Sequence, residues 1–251
     1  MNIILSGCNG KMGQVLVRLM KQEKDLTIVA GIDPDTTKYE NDFPVYSSPS
    51  LCSEKADMII DFSHHSALDD LLKYCVAIKM PLVIATTGLD GNHFKNIMDA
   101  SKYIPIFQTG NTSLGIQVTT KIAQMAALAL TDAFDIEIIE KHHNQKVDAP
   151  SGTAYLIAEN INKALNNKKD FIYGRYGRNE KRKSTDIGIH AIRGGSIVGE
   201  HTILFAGPDE IIEIKHTALS KDIFGLGAIH AARFLIHKNP GFYNMNDLIE
   251  S

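Results

Sequence analysis

Between Glu140 and Ala154 the chain runs EKHHNQKVDAPSGTA, which places two adjacent histidines, a lysine, an aspartate and a Ser-Gly-Thr turn close together. Histidine exchanges protons near neutral pH, so His142 and His143 are candidate acid/base groups. Lys146 is a cation able to hold an anionic ligand, and Ser151, Gly152 and Thr153 open a helical run whose first N–H groups suit the same task. An exposed polar loop that ends in a helix cap would use the same residue types, and the spacing alone leaves both readings open.

A second pattern lies at the other end of the chain. GCNGKMG follows an apolar run and opens a helical one, so Gly7, Gly10 and Gly13 sit where a tight turn brings backbone N–H groups toward a diphosphate. Within that loop Cys8, Asn9, Lys11 and Met12 join the glycines as candidate cofactor contacts. The spacing is GxxGxxG rather than GxGxxG, and a plain glycine-rich turn competes with the dinucleotide reading. Asp33 strengthens that reading, because it ends the next apolar run about twenty residues on, where a carboxylate can accept ribose hydroxyls. Two further loops lie at the same expected sheet edge: Ala85, Thr86, Thr87 and Gly88, then Thr109, Gly110, Asn111, Thr112 and Ser113. Their small side chains and hydroxyls would let a flat ring approach the backbone.

These residues need a frame. Asn2–Gly7, Thr27–Asp33, Asp57–Ser63, Pro81–Gly88 and Ile104–Gly110 are short apolar runs ending in turn formers, and they are expected as strands. GQVLVRLMKQ and ALDDLLKYCVAI between them carry apolar residues at helical spacing, so the alternation predicts a doubly wound parallel sheet. From residue 113 the texture changes: a helix over about 114–130, a second from Ser151 to about Leu165, then three strand patterns joined by Gly- or Pro-containing turns. The run of strands predicts a largely antiparallel sheet. A last helix, about 224–237, returns to the earlier style. The expected division is a dinucleotide-binding domain at 1–112, completed by 222–251, and a second domain at 113–221.

Composition removes other classes. The chain has 251 residues, 44% hydrophobic and 22% charged, with a net charge of −3, so neither disorder nor whole-domain nucleic-acid binding is expected. Cys8, Cys52 and Cys75 lack disulfide or CxxC spacing, the histidines lack zinc-ligand spacing, and no apolar run is long enough for a bilayer. A cytoplasmic protein without metal or membrane partner is the expectation. His64 and His65, and the basic segment GRYGRNEKR, are taken as polar loops.

The stretch 140–154 resembles the signature of the dihydrodipicolinate reductase family, whose members are also called 4-hydroxy-tetrahydrodipicolinate reductases. GCNGKMG, DFS at 61–63, TTG at 86–88, NTSLG at 111–115 and GGSIVGEHTILFAG at 194–207 follow in family order. The resemblance implies a Rossmann domain, a substrate and oligomerisation domain with an open mixed sheet, and a homotetramer. It implies reduction by NADH or NADPH of the ring formed by water loss from 4-hydroxy-tetrahydrodipicolinate, in lysine and diaminopimelate synthesis. On this resemblance His142 is the acid/base residue, Lys146 a proton donor or carboxylate anchor, and His143 a substrate contact. Ser151, Gly152 and Thr153 hold a substrate carboxylate, and Thr87 faces both substrate and cofactor.

The departures bear on the cofactor. Ala85 stands where relatives commonly have glycine, Thr112 where they have a larger residue, and Pro34 where many have an arginine for the NADP 2′-phosphate. Asp33 and Asp35 repel that phosphate and Lys38 is the nearest cation, which predicts dual use with NADH preferred. Two other functions stay in view: reduction of another small imine or oxo dicarboxylate, and non-catalytic dinucleotide sensing.

Overall fold

In the computed structural model, residues 1–130, 133–178 and 180–251 are described. In chain order the elements are β1 (Asn2–Ser6), α1 (Lys11–Met20), β2 (Thr27–Ile32), β3 (Val45–Tyr46), β4 (Met58–Asp61), α2 (Leu68–Ile78), β5 (Leu82–Ile84), α3 (Gly91–Ala100) and β6 (Pro105–Gln108). They continue with α4 (Leu114–Leu130), β7 (Asp135–His142), α5 (Gly152–Ala164), β8 (Asp170–Tyr173), β9 (Asp186–Arg193), β10 (Gly199–Ala206), β11 (Ile211–Ala218), α6 (Asp222–Leu235), β12 (Gly241–Tyr243) and α7 (Met245–Ile249). Two compact units result: Met1–Leu114 with Lys221–Ser251, and Gly115–Ser220.

In the first unit every strand pairing is parallel, in the order β12-β6-β5-β4-β1-β2-β3. The strands are apolar on both faces because both are covered. Ile3, Leu5, Met58, Ile60, Val83 and Phe107 pack with Leu16 and Leu19 of α1 and with Ala228, Ile229 and Leu235 of α6. Ile4, Ile59, Leu82, Ile84 and Ile106 turn to Leu68, Leu71, Leu72 and Cys75 of α2 and Ile97 of α3. Strand order reverses between β1 and β4, so their carboxyl ends, Gly7 and Phe62–Ser63, flank the switch point where doubly wound sheets bind ligands.

The sheet of the second unit runs β11-β10-β7-β9-β8. Here the expectation of a largely antiparallel sheet is corrected. β10 pairs antiparallel with β7 and β11, but β9 runs parallel to both β7 and β8. The chain leaves β7 through α5, a connection long enough to return it to the same end of the sheet, so the next strands enter parallel. β7 therefore lies between β9 and β10, which follow one another in sequence but do not pair. The helices α4 and α5 cover one sheet face, through Ala123, Ala127, Ile157 and Ile161, over Ile136, Ile138, Ile187, Ile189, Ile203 and Phe205.

Candidate active site

The covered face of the second sheet changes character along its length. Side chains alternate between faces, so the row that begins with Ile136 and Ile138 on β7 continues with Glu140 and His142. Register does the same on the neighbours: Arg193 stands opposite His142 on β9, and His201 opposite Glu140 on β10. His216 of β11 is in turn opposite His201. The apolar end of this face is core, and the ionisable end is the candidate site.

Glu140 is its centre and is fully buried. It accepts four hydrogen bonds: from His142 Nδ1 at 2.6 Å, from the two terminal nitrogens of Arg193 at 2.7 Å each, and from Ser151 N–H at 2.9 Å. Burial works to raise this carboxyl, but Arg193, with His142 and the Ser151 N–H, outweighs it and holds the group below the usual carboxylate range. An ionised Glu140 fixes the hydrogen of His142 on Nδ1 and leaves the lone pair on Nε2. A side chain at position 199 would lie 3.1 Å from that Nε2, and Gly199 leaves the space open. Burial keeps the His142 imidazole below its ordinary value, with Glu140 opposing and Lys146 and Arg193 assisting.

His201 is buried, with its ring 5.2 Å from that of His142. Its Nε2 lies 3.1 Å from Ser151 Oγ, which also accepts from Ala154 N–H as the cap of α5. The other ring nitrogen, Nδ1, is shielded without a hydrogen bond. Burial and the neighbouring His142 bring the His201 pKa down to about 4, and burial also lowers that of His216. These rings are neutral at physiological pH, and the nearby cations are Arg193 and Lys146. Lys146 Nζ lies 2.7 Å from Asp148. His143 is half-buried, and its Nδ1 is shielded without a hydrogen bond.

The residues expected at a substrate site thus fall into one part of the second unit, apart from Thr87, which belongs to the first. Glu140, Arg193, His201 and His216 were not anticipated as site residues. Glu140 carried a signal, since it shares a strand face with His142 two residues on.

In the first unit Gly7 adopts φ +75°, and a Cβ there would come within 2.6 Å of the Phe62 carbonyl oxygen. Gly10 caps α1 with no side-chain hydrogen bond, so the first N–H groups of the helix are offered forward. Asp33 accepts from Asn9 N–H at 3.0 Å and from Asp35 N–H at 3.1 Å, and a carboxylate keeps lone pairs for further donors. An uncapped helix start beside an oriented carboxylate suits the diphosphate and ribose of a dinucleotide. Lys11 and Gly110 are exposed and Met12 is half-buried.

Other expected contacts are engaged in holding the edge together. The Cys8 thiol is in the core, where burial and then Asp33 push it up to about 12, so only its backbone is offered to a ligand. Thr86 donates to buried Asp61 at 2.6 Å, and Ala85 N–H to the Asp61 carbonyl at 2.9 Å. Thr109 donates to the Asn111 carbonyl, and Asn111 Oδ1 accepts from Ser113 N–H. Thr112 donates to the Phe224 carbonyl at 2.7 Å, which ties its loop to α6. Thr87 and Gly88 stay exposed at the tip of theirs. Among the described residues no group of three or more His, Cys, Asp or Glu side chains could hold a metal ion, and no helix is long and apolar enough to cross a membrane.

Residues 1–112 match the N-terminal domain of dihydrodipicolinate reductase, and residues 115–249 match its C-terminal domain. The chain belongs to the dihydrodipicolinate reductase family. The 4-hydroxy-tetrahydrodipicolinate reductase of Caldanaerobacter subterraneus subsp. tengcongensis is 52% identical over 248 residues, covering 99% of this chain and 98% of that protein. The Clostridium tetani protein of the same name is 48% identical over 249 residues, covering 99% and 97%. Among solved structures, dipicolinate-bound dihydrodipicolinate reductase from Paenisporosarcina sp. TG-14 superposes with a TM-score of 0.80 at 23% identity, over 98% of each chain. That likeness carries the fold, a Rossmann-type parallel sheet with a second unit built on a mixed sheet. The family identity comes from the sequence matches, and it makes this chain an oxidoreductase.

Proposed function

We propose that the chain reduces the unsaturated dicarboxylate ring formed by water loss from 4-hydroxy-tetrahydrodipicolinate, giving tetrahydrodipicolinate for lysine and diaminopimelate synthesis. The observation that carries the reading is the buried Glu140–His142 pair beside Lys146 and the start of α5, within a chain that matches the reductase family along its length. NAD(P)H, when bound, supplies the hydride. The loop Gly7–Gly13 and Asp33 would hold it, with Ala85, Thr86, Thr87, Thr109, Gly110, Asn111 and Thr112 along the same sheet edge.

The remaining work belongs to side chains of the second unit. Lys146 and the N–H groups of Gly152 and Thr153 hold a ring carboxylate, and His143 orients the other. His142 exchanges the proton through Nε2, because Nδ1 is committed to Glu140. His201 and His216 stay neutral, so the standing cations near a dianionic ligand are Lys146 and Arg193, and His142 is charged only while Nε2 carries the proton that it passes to the ring as the hydride adds.

The test is loss of NAD(P)H absorbance with and without the product of the preceding pathway step, together with inhibition by pyridine-2,6-dicarboxylate. Flat traces from correctly folded protein would remove the enzyme reading and favour a sensor. Turnover without inhibition would point to another dicarboxylate. Lys146→Ala is expected to lower kcat about 100-fold or more while NADH affinity stays within a few-fold. An equal loss of NADH binding would show that the roles of the two units are wrongly assigned.

Cofactor choice is expected to favour NADH with some use of NADPH. Asp33 is held in place by two N–H groups, and Lys38 lies against the Tyr39 ring, 5.7 Å from its centroid. Asp33→Ser combined with Pro34→Arg removes a repulsion and adds a fork-shaped donor, so the ratio of kcat/KM values should move toward NADPH. A wild type already strongly selective for NADPH would sink this placement.

The homotetramer is proposed on family membership and on the second sheet. Its face opposite α4 and α5 carries Ile139, Leu204 and Ile211 beside Glu200, which is paired with Lys141 and Lys215. A monomeric mass in solution would refute it.

A further inference from the structure

The carboxylate of Asp148 already sits on Lys146, one of the donors assigned above to a substrate carboxylate. It lies 2.7 Å from Lys146 Nζ, and the N–H of Gly152 at the start of α5 is near enough to favour its ionised form. Lys146 is mostly shielded, at 22% side-chain exposure, whereas Asp148 is 58% exposed, so the aspartate covers the lysine from the solvent side. The main chain at Asp148 is anchored separately: its carbonyl accepts from Arg193 at 2.6 Å, and Arg193 is locked on Glu140. The side chain can therefore turn away without loss of the loop. Burial acts to raise the Asp148 carboxyl, but Lys146 and the N–H groups outweigh it and keep it ionised, below the usual carboxylate range.

We propose that Asp148 is an internal occupant of the carboxylate subsite, which a substrate carboxylate must displace from Lys146 and Gly152. The inference rests on the reading of the chain as a dicarboxylate reductase and adds a residue that sets its selectivity. Two carboxylates cannot share one lysine and one N–H at this distance without strong repulsion, so the ligand and Asp148 exclude one another. The exchange is one charge-assisted pair for another. It keeps Lys146 from standing as an unpaired, partly buried cation in the free protein, and it makes a ligand without a carboxylate unable to open the subsite.

The probe is pyridine-2,6-dicarboxylate, with binding measured by calorimetry on the full chain and the Gly152 amide followed by ¹H–¹⁵N NMR. Asp148→Asn keeps the side-chain shape and removes the charge, and it should tighten binding by roughly tenfold and lower KM without raising kcat in proportion. Asp148→Ala should act in the same direction. In Asp148→Asn the Gly152 amide proton should move upfield and return downfield when the probe is added. In the wild type it should change little, because one carboxylate replaces another. Weaker or unchanged binding in both variants, or a Gly152 amide indifferent to the substitution, overturns the proposal and makes Asp148 a support for Lys146. A wild type that neither binds the probe nor turns over overturns the reductase reading instead.

Discussion

Glu140→Gln is expected to lower kcat by roughly 100- to 1000-fold, with NADH affinity unchanged and a smaller effect on KM. The amide keeps the volume but must place an NH₂ where two carboxylate oxygens now accept four donors. Whichever way the amide turns, its NH₂ faces Arg193 together with either the Ser151 N–H or His142 Nδ1. When it faces Nδ1 the His142 tautomer inverts, and the lone pair moves from Nε2 to Nδ1. The pH profile separates this from simple disorder. Burial lowers the His142 pKa, Glu140 raises it, Lys146 and Arg193 lower it, and the neutral His201 ring packs edge-on against it. Removing the one group that opposes burial moves the limb of kcat/KM that belongs to His142 to lower pH. A Glu140→Gln variant with wild-type kcat and an unmoved limb would show that the carboxylate does not act through the histidine. Glu140→Asp, which restores charge but shortens the reach, should recover part of the rate.

That arrangement was only partly legible in the sequence. His142, Lys146 and the turn at Ser151 lie within a few residues of each other, so residue type and spacing were enough to mark them. Arg193 lies 53 residues from Glu140 in sequence, and His201 lies 50 from Ser151. Only the parallel pairing of β7 with β9 and the antiparallel pairing of β7 with β10 bring them together. Those registers depend on which strand sits beside which, and strands that follow one another through short turns carry no sign that β7 lies between β9 and β10. The first unit was more transparent because its central strands are buried on both faces and show as continuous apolar runs. α3 escaped notice because its sequence GNHFKNIMDA buries only Ile97 and Ala100. β3 and β12 are edge strands of two and three residues, too short to carry a period. The glycine loop was legible for a physical reason of its own: backbone fills the space that a side chain would need.

Gly13→Ala is expected to unfold the first unit at markedly lower temperature, with a stability loss of about 3 kcal/mol and a midpoint lower by roughly 6–12 °C. A Cβ at this position would overlap the Gly7 carbonyl oxygen and come within 2.6 Å of the Cys8 carbonyl carbon. Those are backbone atoms, and the loop that carries them cannot easily give way. Gly7 N–H donates to the Ile32 carbonyl at 2.8 Å, Gly10 N–H to the Gly7 carbonyl at 3.0 Å, and Asn9 N–H to Asp33. Relief must come from α1 moving outward, which opens its contact with α6, where Gly225 already lies close against Leu19. The same shift carries the first N–H groups of α1 away from the diphosphate position, so NADH affinity should fall at least tenfold. Gly10→Ala is the control that separates packing from binding. Its backbone at φ −78° accepts any residue, and the nearest atom to a Cβ there is the Gly7 carbonyl oxygen at 3.2 Å. That variant should melt within a few degrees of the wild type yet bind NADH more weakly, because the added methyl stands where the cofactor approaches the helix. If Gly13→Ala melts with the wild type and binds NADH equally well, the loop is looser than its hydrogen bonds indicate, and the close approach at Gly13 is not what holds α1 against β1.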